Sequence, residues 1–221
     1  MRHRRIVATA VLILVLLAAP AAARQHRRQA QRPRAGQFAY YVLSLSWSPE
    51  HCASPERSAN DAQCGEYRRY GFVVHGLWPQ YENGFPESCA AGGALEQSVV
   101  NGVLDIMPSP ALVRHEWSKH GTCTGMPPAD YFATVRAAYT GVQLPQPYQD
   151  PTGVRRLDAN QIRQEFLQAN PSLGGNDIVV RCNKRYLEEV RICLDKDLRP
   201  RACGRDVRDH CRGEAVVRPV R

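Results

Sequence analysis

From Leu43 to Ser48 the chain alternates. Leu43, Leu45 and Trp47 are apolar, and Ser44, Ser46 and Ser48 separate them. A period of two predicts a half-buried strand over Phe38–Trp47, ended by Pro49. Tyr70–Val74 is a second short apolar run, read as a strand that delivers His75 at its end, directly before Gly76. The period then lengthens. Leu95, Val99, Val103 and Ile106 recur at near-helical spacing up to Met107-Pro108. Ser109-Pro110 reads as an N-cap followed by proline at the first helical position. A helix is predicted from there through Leu112, Val113, Trp117 and His120, stopping at Gly121. Tyr131, Phe132, Val135, Ala138 and Tyr139 make Pro128–Val142 a further amphipathic helix. Asp158 and Gln161 form a capping-box pattern at the head of a helix reaching Asn170, with Ile162, Phe166 and Leu167 as its buried side. Ile178–Cys182 and Tyr186–Leu194 read as a hairpin turning at Asn183-Lys184-Arg185, and the chain beyond Arg199 as a short charged tail. Helices and strands do not alternate regularly, so the predicted class is α+β.

The N-terminus adds a compartment. Residues 1–23 combine Arg2, Arg4 and Arg5, an apolar run from Ile6 to Leu17, and Ala21-Ala22-Ala23, the pattern of a cleaved export signal. Arg4-Arg5 also suits a twin-arginine route, though an ordinary n-region accounts for it better. The apolar run is short of the roughly 20 residues a membrane span needs, and no later stretch approaches that length. The expectation is a soluble protein, periplasmic or secreted, with no membrane partner. All eight cysteines follow this segment, an even number that predicts four disulfides in an oxidising compartment. Cys52 and Cys64 flank a Ser-, Pro-, Asn- and Asp-containing loop that they can close themselves. No C-x-x-C pair occurs, which weakens a zinc reading.

Net charge says less than its value of +8 suggests. Three cations lie in the export signal, and five more (Arg24, Arg27, Arg28, Arg32, Arg34) lie in residues 24–36, which contain no acid. From Gln37 onward 21 Lys and Arg balance 21 Asp and Glu. Residues 24–36 therefore read as a basic flexible tail, a solvated linker first and an electrostatic attractor of nucleic acid or anionic lipid second. Residues 37–221 read as one domain with no global field for a polyanion, so recognition must rest on local residues.

The densest local chemistry is His115-Glu116-Trp117-Ser118-Lys119-His120-Gly121-Thr122-Cys123. At 100° per residue, His115, Lys119, Glu116 and His120 share one arc of the predicted helix, and Trp117 falls outside it. That pattern suits a helix lining a cleft. A zinc protease would need H-E-x-x-H; here the spacing is H-E-x-x-x-H, which turns the second histidine about 100° away. Without a metal, two histidines, a carboxylate and a lysine suit RNA cleavage. The substrate carries its own nucleophile, the 2′-hydroxyl. Imidazoles can take and return protons near neutral pH, and an ammonium can stabilise the phosphorane.

The pair His75-Gly76-Leu77-Trp78-Pro79 and His115–Cys123 resembles the two active-site segments of the ribonuclease T2 family, and the resemblance extends from Phe38 to Cys193. It implies an α+β fold in which an antiparallel sheet packs against several helices, stapled by disulfides. It also implies a monomeric, metal-independent endoribonuclease with low base specificity, cutting single-stranded RNA to 2′,3′-cyclic phosphate ends and needing no cofactor. Residue by residue, His120 would be the general base and His75 the general acid, although sequence alone leaves that order open. Glu116 and Lys119 would stabilise the pentacoordinate phosphate, and His115 would bind phosphate. Trp78 and Gln80 would meet a base, with Trp78 as plain core the alternative. Expected disulfides are Cys52–Cys64, Cys89–Cys123, Cys182–Cys193 and Cys203–Cys211, with an exchange of partners among the last four cysteines left open by the sequence. A catalytically silent RNA-binding protein on the same fold is the competing reading.

Overall fold

The computed structural model describes residues 33–55, 61–65 and 69–220. The expected export signal (residues 1–23) and residues 24–32 of the expected tail lie outside the described residues. At the end of that tail, the Gly36 amide donates to the Cys123 carbonyl at 2.9 Å.

Strand β1 (Tyr40–Trp47) runs into a short helix α1 (Ser48–Ala53), and β2 (Phe72–Gln80) returns antiparallel beside it. Helices α2 (Gln97–Asn101), α3 (Pro110–Lys119) and α4 (Pro128–Thr140) follow. Strand β3 (Arg155–Asp158), helix α5 (Ala159–Ala169), the hairpin β4 (Ile178–Asn183) and β5 (Tyr186–Leu194), and β6 (Glu214–Val217) complete the described chain. The sheet order is β2-β1-β5-β6-β3, with β4 also paired to β5. Every pairing is antiparallel except β5 with β6. The α+β class holds.

The alternation in β1 sets the core. Tyr41, Leu43, Leu45 and Trp47 pack with Phe72, Val74 and Leu77 of β2 and with Val113, Trp117, Tyr131 and Phe166 from the helices. Local signals start the helices as expected. Ser109 Oγ accepts the Leu112 amide at 3.3 Å, and the Asp158–Gln161 capping box closes in both directions. Such caps contribute about 1 kcal/mol each.

Four expectations change. Strand β2 does not end at His75 but continues to Gln80. Ser44 pairs with Gly76 and Leu45 with Val74, leaving His75 as the extra residue of a β-bulge. Side chains three apart in a regular strand point to opposite faces; the bulge reverses this and puts His75 and Trp78 on one face, ring centroids 5.1 Å apart. The helix expected over Leu95–Ile106 shrinks to α2, capped at Gly102, with turns after it. The serines of β1 do not form a solvent face, since Ser44 is fully buried. The chain after Arg199 is not a loose tail either, because β6 pairs with β3 and buries Ala215, Val216 and Val217.

Cys52–Cys64 and Cys89–Cys123 form as expected. The other two are corrected: the bridges are Cys182–Cys211 and Cys193–Cys203. Cys182 faces Leu187 across the hairpin, so Cys193 lies six residues further along β5. That is roughly 20 Å, well beyond the reach of a disulfide. Each cysteine instead takes a partner from the C-terminal segment, which lies beside β4 at the Arg181–His210 bridge and meets Cys193 through the Arg201 amide.

Candidate active site

A cleft of about 300 Å³ opens between β2 and the C-terminal half of α3. His75, Trp78 and Gln80 enter it from β2, and His115, Glu116, Lys119 and His120 from α3 and its C-cap. All seven residues singled out in the sequence therefore line one cavity. A somewhat larger cavity, about 360 Å³, lies near α1 and the C-terminus. It holds none of these groups, and its Arg218 is engaged by Glu50 at 2.6 Å and stacks over Tyr186.

The helix divides its polar residues by depth. Glu116 is 1% exposed, whereas His115 is exposed and Lys119 half-buried at the rim, where its ammonium lies 3.8 Å from Glu87. Trp117 turns the other way into the core, its indole N–H donating to the Gly92 carbonyl. His120 leaves the helix as its C-cap, with its amide on the Glu116 carbonyl at 2.9 Å. Gly121 must follow without a side chain, because a β-carbon there would lie 2.4 Å from the Trp117 ring. The Cys89–Cys123 bridge and the Ser88 amide on the Lys119 carbonyl then tie this corner to the loop after β2.

Glu116 faces His75 across the cleft, with Oε1 3.8 Å from Nε2 of the imidazole. Its other oxygen accepts the Trp78 indole N–H at 2.7 Å. Burial raises its pKa to about 7, against the lowering effects of His75 and that hydrogen bond. The two principal histidines are pushed in opposite directions. Burial alone would lower His75, but the carboxylate of Glu189, 2.5 Å from Nδ1, and the charge of Glu116 raise it overall. Burial, reinforced by the positive charge of Lys119 and of the other imidazoles, lowers His120 to about 3. Its Nδ1 is buried with no hydrogen-bond partner among the described residues. His115 is also lowered, by burial and then by Lys119 and His75.

Trp78 is 9% exposed and ringed by its neighbours: His75 edge-on, His120 tilted at 5.4 Å, and the Arg191 guanidinium 4.8 Å from its ring centre. Gln80 is buried too, with its amide on the Pro79 and Trp78 carbonyls. Phe85, Arg191 and Asp206, which line the cleft, and Glu189, which lies behind it, carry no signal in the sequence. Phe85, 47% exposed, lies 6.1 Å from His120. Glu189 and Arg191, from β5, lie behind His75. In the sequence these two look like ordinary outward positions of a strand, and Phe85 like part of a loop.

The sequence matches the model of the ribonuclease T2 family over residues 38–203. The chain belongs to this family. A ribonuclease of Aeromonas hydrophila is 38% identical over 172 residues, covering 74% of each chain. Ribonuclease I of Escherichia coli K12 is 27% identical, covering 76% of this chain and 79% of its own. Among solved structures, an RNase-related protein from Calystegia sepium aligns with a TM-score of 0.66 at 22% identity, over 83% of this chain and 98% of its own. Ribonuclease MC1 from bitter gourd seeds aligns with a TM-score of 0.62 at 22% identity, over 80% and 99%. These likenesses carry the fold, and family membership makes the protein an RNA-cleaving endoribonuclease. Among the described residues no helix is long and apolar enough to cross a membrane.

Proposed function

We propose that this T2-family ribonuclease cleaves single-stranded RNA by transphosphorylation, leaving 2′,3′-cyclic phosphate ends, with low base specificity and without a metal cofactor. His120 takes the 2′-hydroxyl proton and His75 protonates the leaving 5′-oxygen. What carries the assignment is the opposed electrostatics of the two imidazoles. His75 is raised beside Glu189, whereas His120 is lowered to about 3 in a buried, unpaired setting. At mildly acidic pH one ring is charged and the other neutral, the state that acid and base must each begin from.

The charge that builds on the phosphorane falls to three groups. Lys119 supplies an ammonium and His115 contacts phosphate at the rim. Glu116, raised to about 7, is protonated over the working range and can donate a hydrogen bond to a non-bridging oxygen. An ionised carboxylate at that position would repel the phosphate. The cyclic ester is hydrolysed slowly or not at all.

Export as a monomer completes the proposal: residues 1–23 are cleaved as the signal, 24–36 remain as a basic tail, and 37–221 form the catalytic domain. Four disulfides suit an oxidising compartment such as the periplasm.

Purified protein incubated with RNA and EDTA should yield cyclic-phosphate ends, and His75→Ala should lose most of that activity. Full inhibition by chelator, or normal cleavage by the variant, would overturn the mechanism. Binding without any cleavage would favour the silent RNA-binding alternative.

A further inference from the structure

Behind the acid histidine lies one more buried carboxylate. Glu189 is 4% exposed, and its two oxygens are divided. Oε1 meets His75 Nδ1 at 2.5 Å, while Oε2 accepts from Arg191, at 2.8 Å from Nε and 2.6 Å from the terminal nitrogen. Arg181 of β4 stands 4.0 Å from the same oxygen. The guanidinium therefore fixes the carboxylate, which in turn fixes the ring.

This contact spans a strand. His75 is on β2 and Glu189 on β5, with β1 between them. Two strand spacings amount to roughly 9–10 Å, so the side chains can meet only over small residues. At that level β1 presents serines. Ser44 pairs with Gly76 on one side and Arg191 on the other, and Ser46 with Val73 and Glu189. Ser44 Oγ is buried with no partner among the described residues, so its small size explains its presence better than a hydrogen bond does.

We propose that Glu189, locked by Arg191, is the positioning residue for His75. It keeps the ring's permanent proton on Nδ1 and turns Nε2 into the cleft as the atom that serves the leaving group. An ionised carboxylate only accepts, so Nδ1 must be the donor. As the P–O5′ bond breaks, Nε2–H passes its proton to the departing oxygen, and His75 is left neutral with Nδ1–H still on Glu189. The same logic orients ligand and triad histidines through a carboxylate on the far nitrogen. The charged and titratable groups facing His75 are Glu189 and Arg191 from β5, with Arg181 behind them. From α3 and its C-cap come Glu116, Lys119, His115 and His120, and Asp206 lines the same cleft. Of these, Glu189 alone touches Nδ1.

The inference rests on the acid role given above to His75, and its test keeps the two separable. Wild type, Glu189→Gln and Glu189→Asp would be compared by NMR titration of His75 in histidine-labelled protein and by pH profiles of RNA cleavage. In Glu189→Gln, His75 should lose its proton about tenfold more readily, and the alkaline limb of kcat/KM should move down by about one pH unit. Glu189→Asp should recover part of the shift. An unmoved midpoint and limb in a folded Glu189→Gln variant overturns the proposal. Should that variant not fold, wild type decides: above its midpoint, 15N shifts should show neutral His75 carrying its proton on Nδ1, and an Nε2–H tautomer overturns the idea. Undiminished cleavage by His75→Ala would remove the acid role instead, while the NMR titration still judges the pairing with Glu189.

Discussion

A β-carbon on Gly76 would lie 2.0 Å from Oε2 of Glu116 and 2.3 Å from the Trp78 indole nitrogen. The Glu116 carboxylate thus occupies the space a side chain would take, lying against the strand that carries His75. Gly76 is required here for close approach rather than for an unusual backbone angle.

Gly76→Ala should therefore act on catalysis more than on folding. A methyl group there would force the Glu116 carboxylate and the Trp78 indole out of their present positions. A displacement of that size in a reacting group can cost on the order of a hundredfold in rate. Overpacking would cost about 1–3 kcal/mol of stability. Steady-state kcat alongside thermal unfolding would test this, and a kcat within twofold of wild type would show that Glu116 is not held where the chemistry needs it.

The pH profile follows from the two histidines. In the proposed mechanism His75 must be protonated to act as acid, and its pKa is raised above the ordinary imidazole value, so activity should fall as pH climbs through that higher value. His120 must be neutral to act as base, and its pKa is lowered to about 3, so activity falls only as pH drops towards 3. Glu116 adds to the alkaline limb, losing its proton near 7. A bell with a broad acidic plateau is expected for kcat/KM in the free enzyme. An optimum above pH 8, or a flat profile, would contradict the acid and base assignment.

The sequence carried the contents of the site better than its architecture. His115, Glu116, Lys119 and His120 could be read together because helical periodicity converts spacing into direction. Ser109 and Asp158 were legible for a similar reason, since capping is local. The bulge at His75 left no such signal: which residue goes unpaired depends on register with β1, a relation between distant segments. Ser44 and Ser46 looked like a solvated face because period-two patterning cannot tell water from a buried ion pair above the strand. The last two bridges differ from expectation because neighbours in sequence are not neighbours in space here: Cys182 and Cys193 sit at opposite ends of a hairpin.

Cys89–Cys123 joins the loop after β2 to the turn after His120 across 34 residues of sequence. Chain-entropy reasoning assigns such a closure about 3–4 kcal/mol. A Cys89→Ala, Cys123→Ala double variant should lose about that much unfolding free energy and so unfold at a lower denaturant concentration. Because the bridge anchors the His120 corner, kcat should fall even where the variant remains folded. Denaturant titration with parallel kinetics separates the two effects, and a destabilised variant with wild-type kcat would show that the bridge serves stability alone.

Which aromatic meets the base is the last question that mutation can settle. Trp78 is 9% exposed, with its indole N–H held by Glu116 and Arg191 against its ring. Phe85 is 47% exposed at the cleft mouth beside His120, on the side where the 2′-hydroxyl would be activated. Stacking on a base is worth about 1–3 kcal/mol and tolerates any base. Phe85→Ala should accordingly raise KM about tenfold with a smaller change in kcat. Trp78→Phe keeps an aromatic ring but removes the N–H on Glu116. With Glu116 protonated this is a hydrogen bond between neutral groups, worth about 0.5–1.5 kcal/mol, so kcat should drop by roughly two- to tenfold. Kinetics on dinucleotides with different bases 5′ of the scissile bond would distinguish the two. The opposite split, with KM moving in Trp78→Phe and kcat in Phe85→Ala, would make Trp78 the stacking platform.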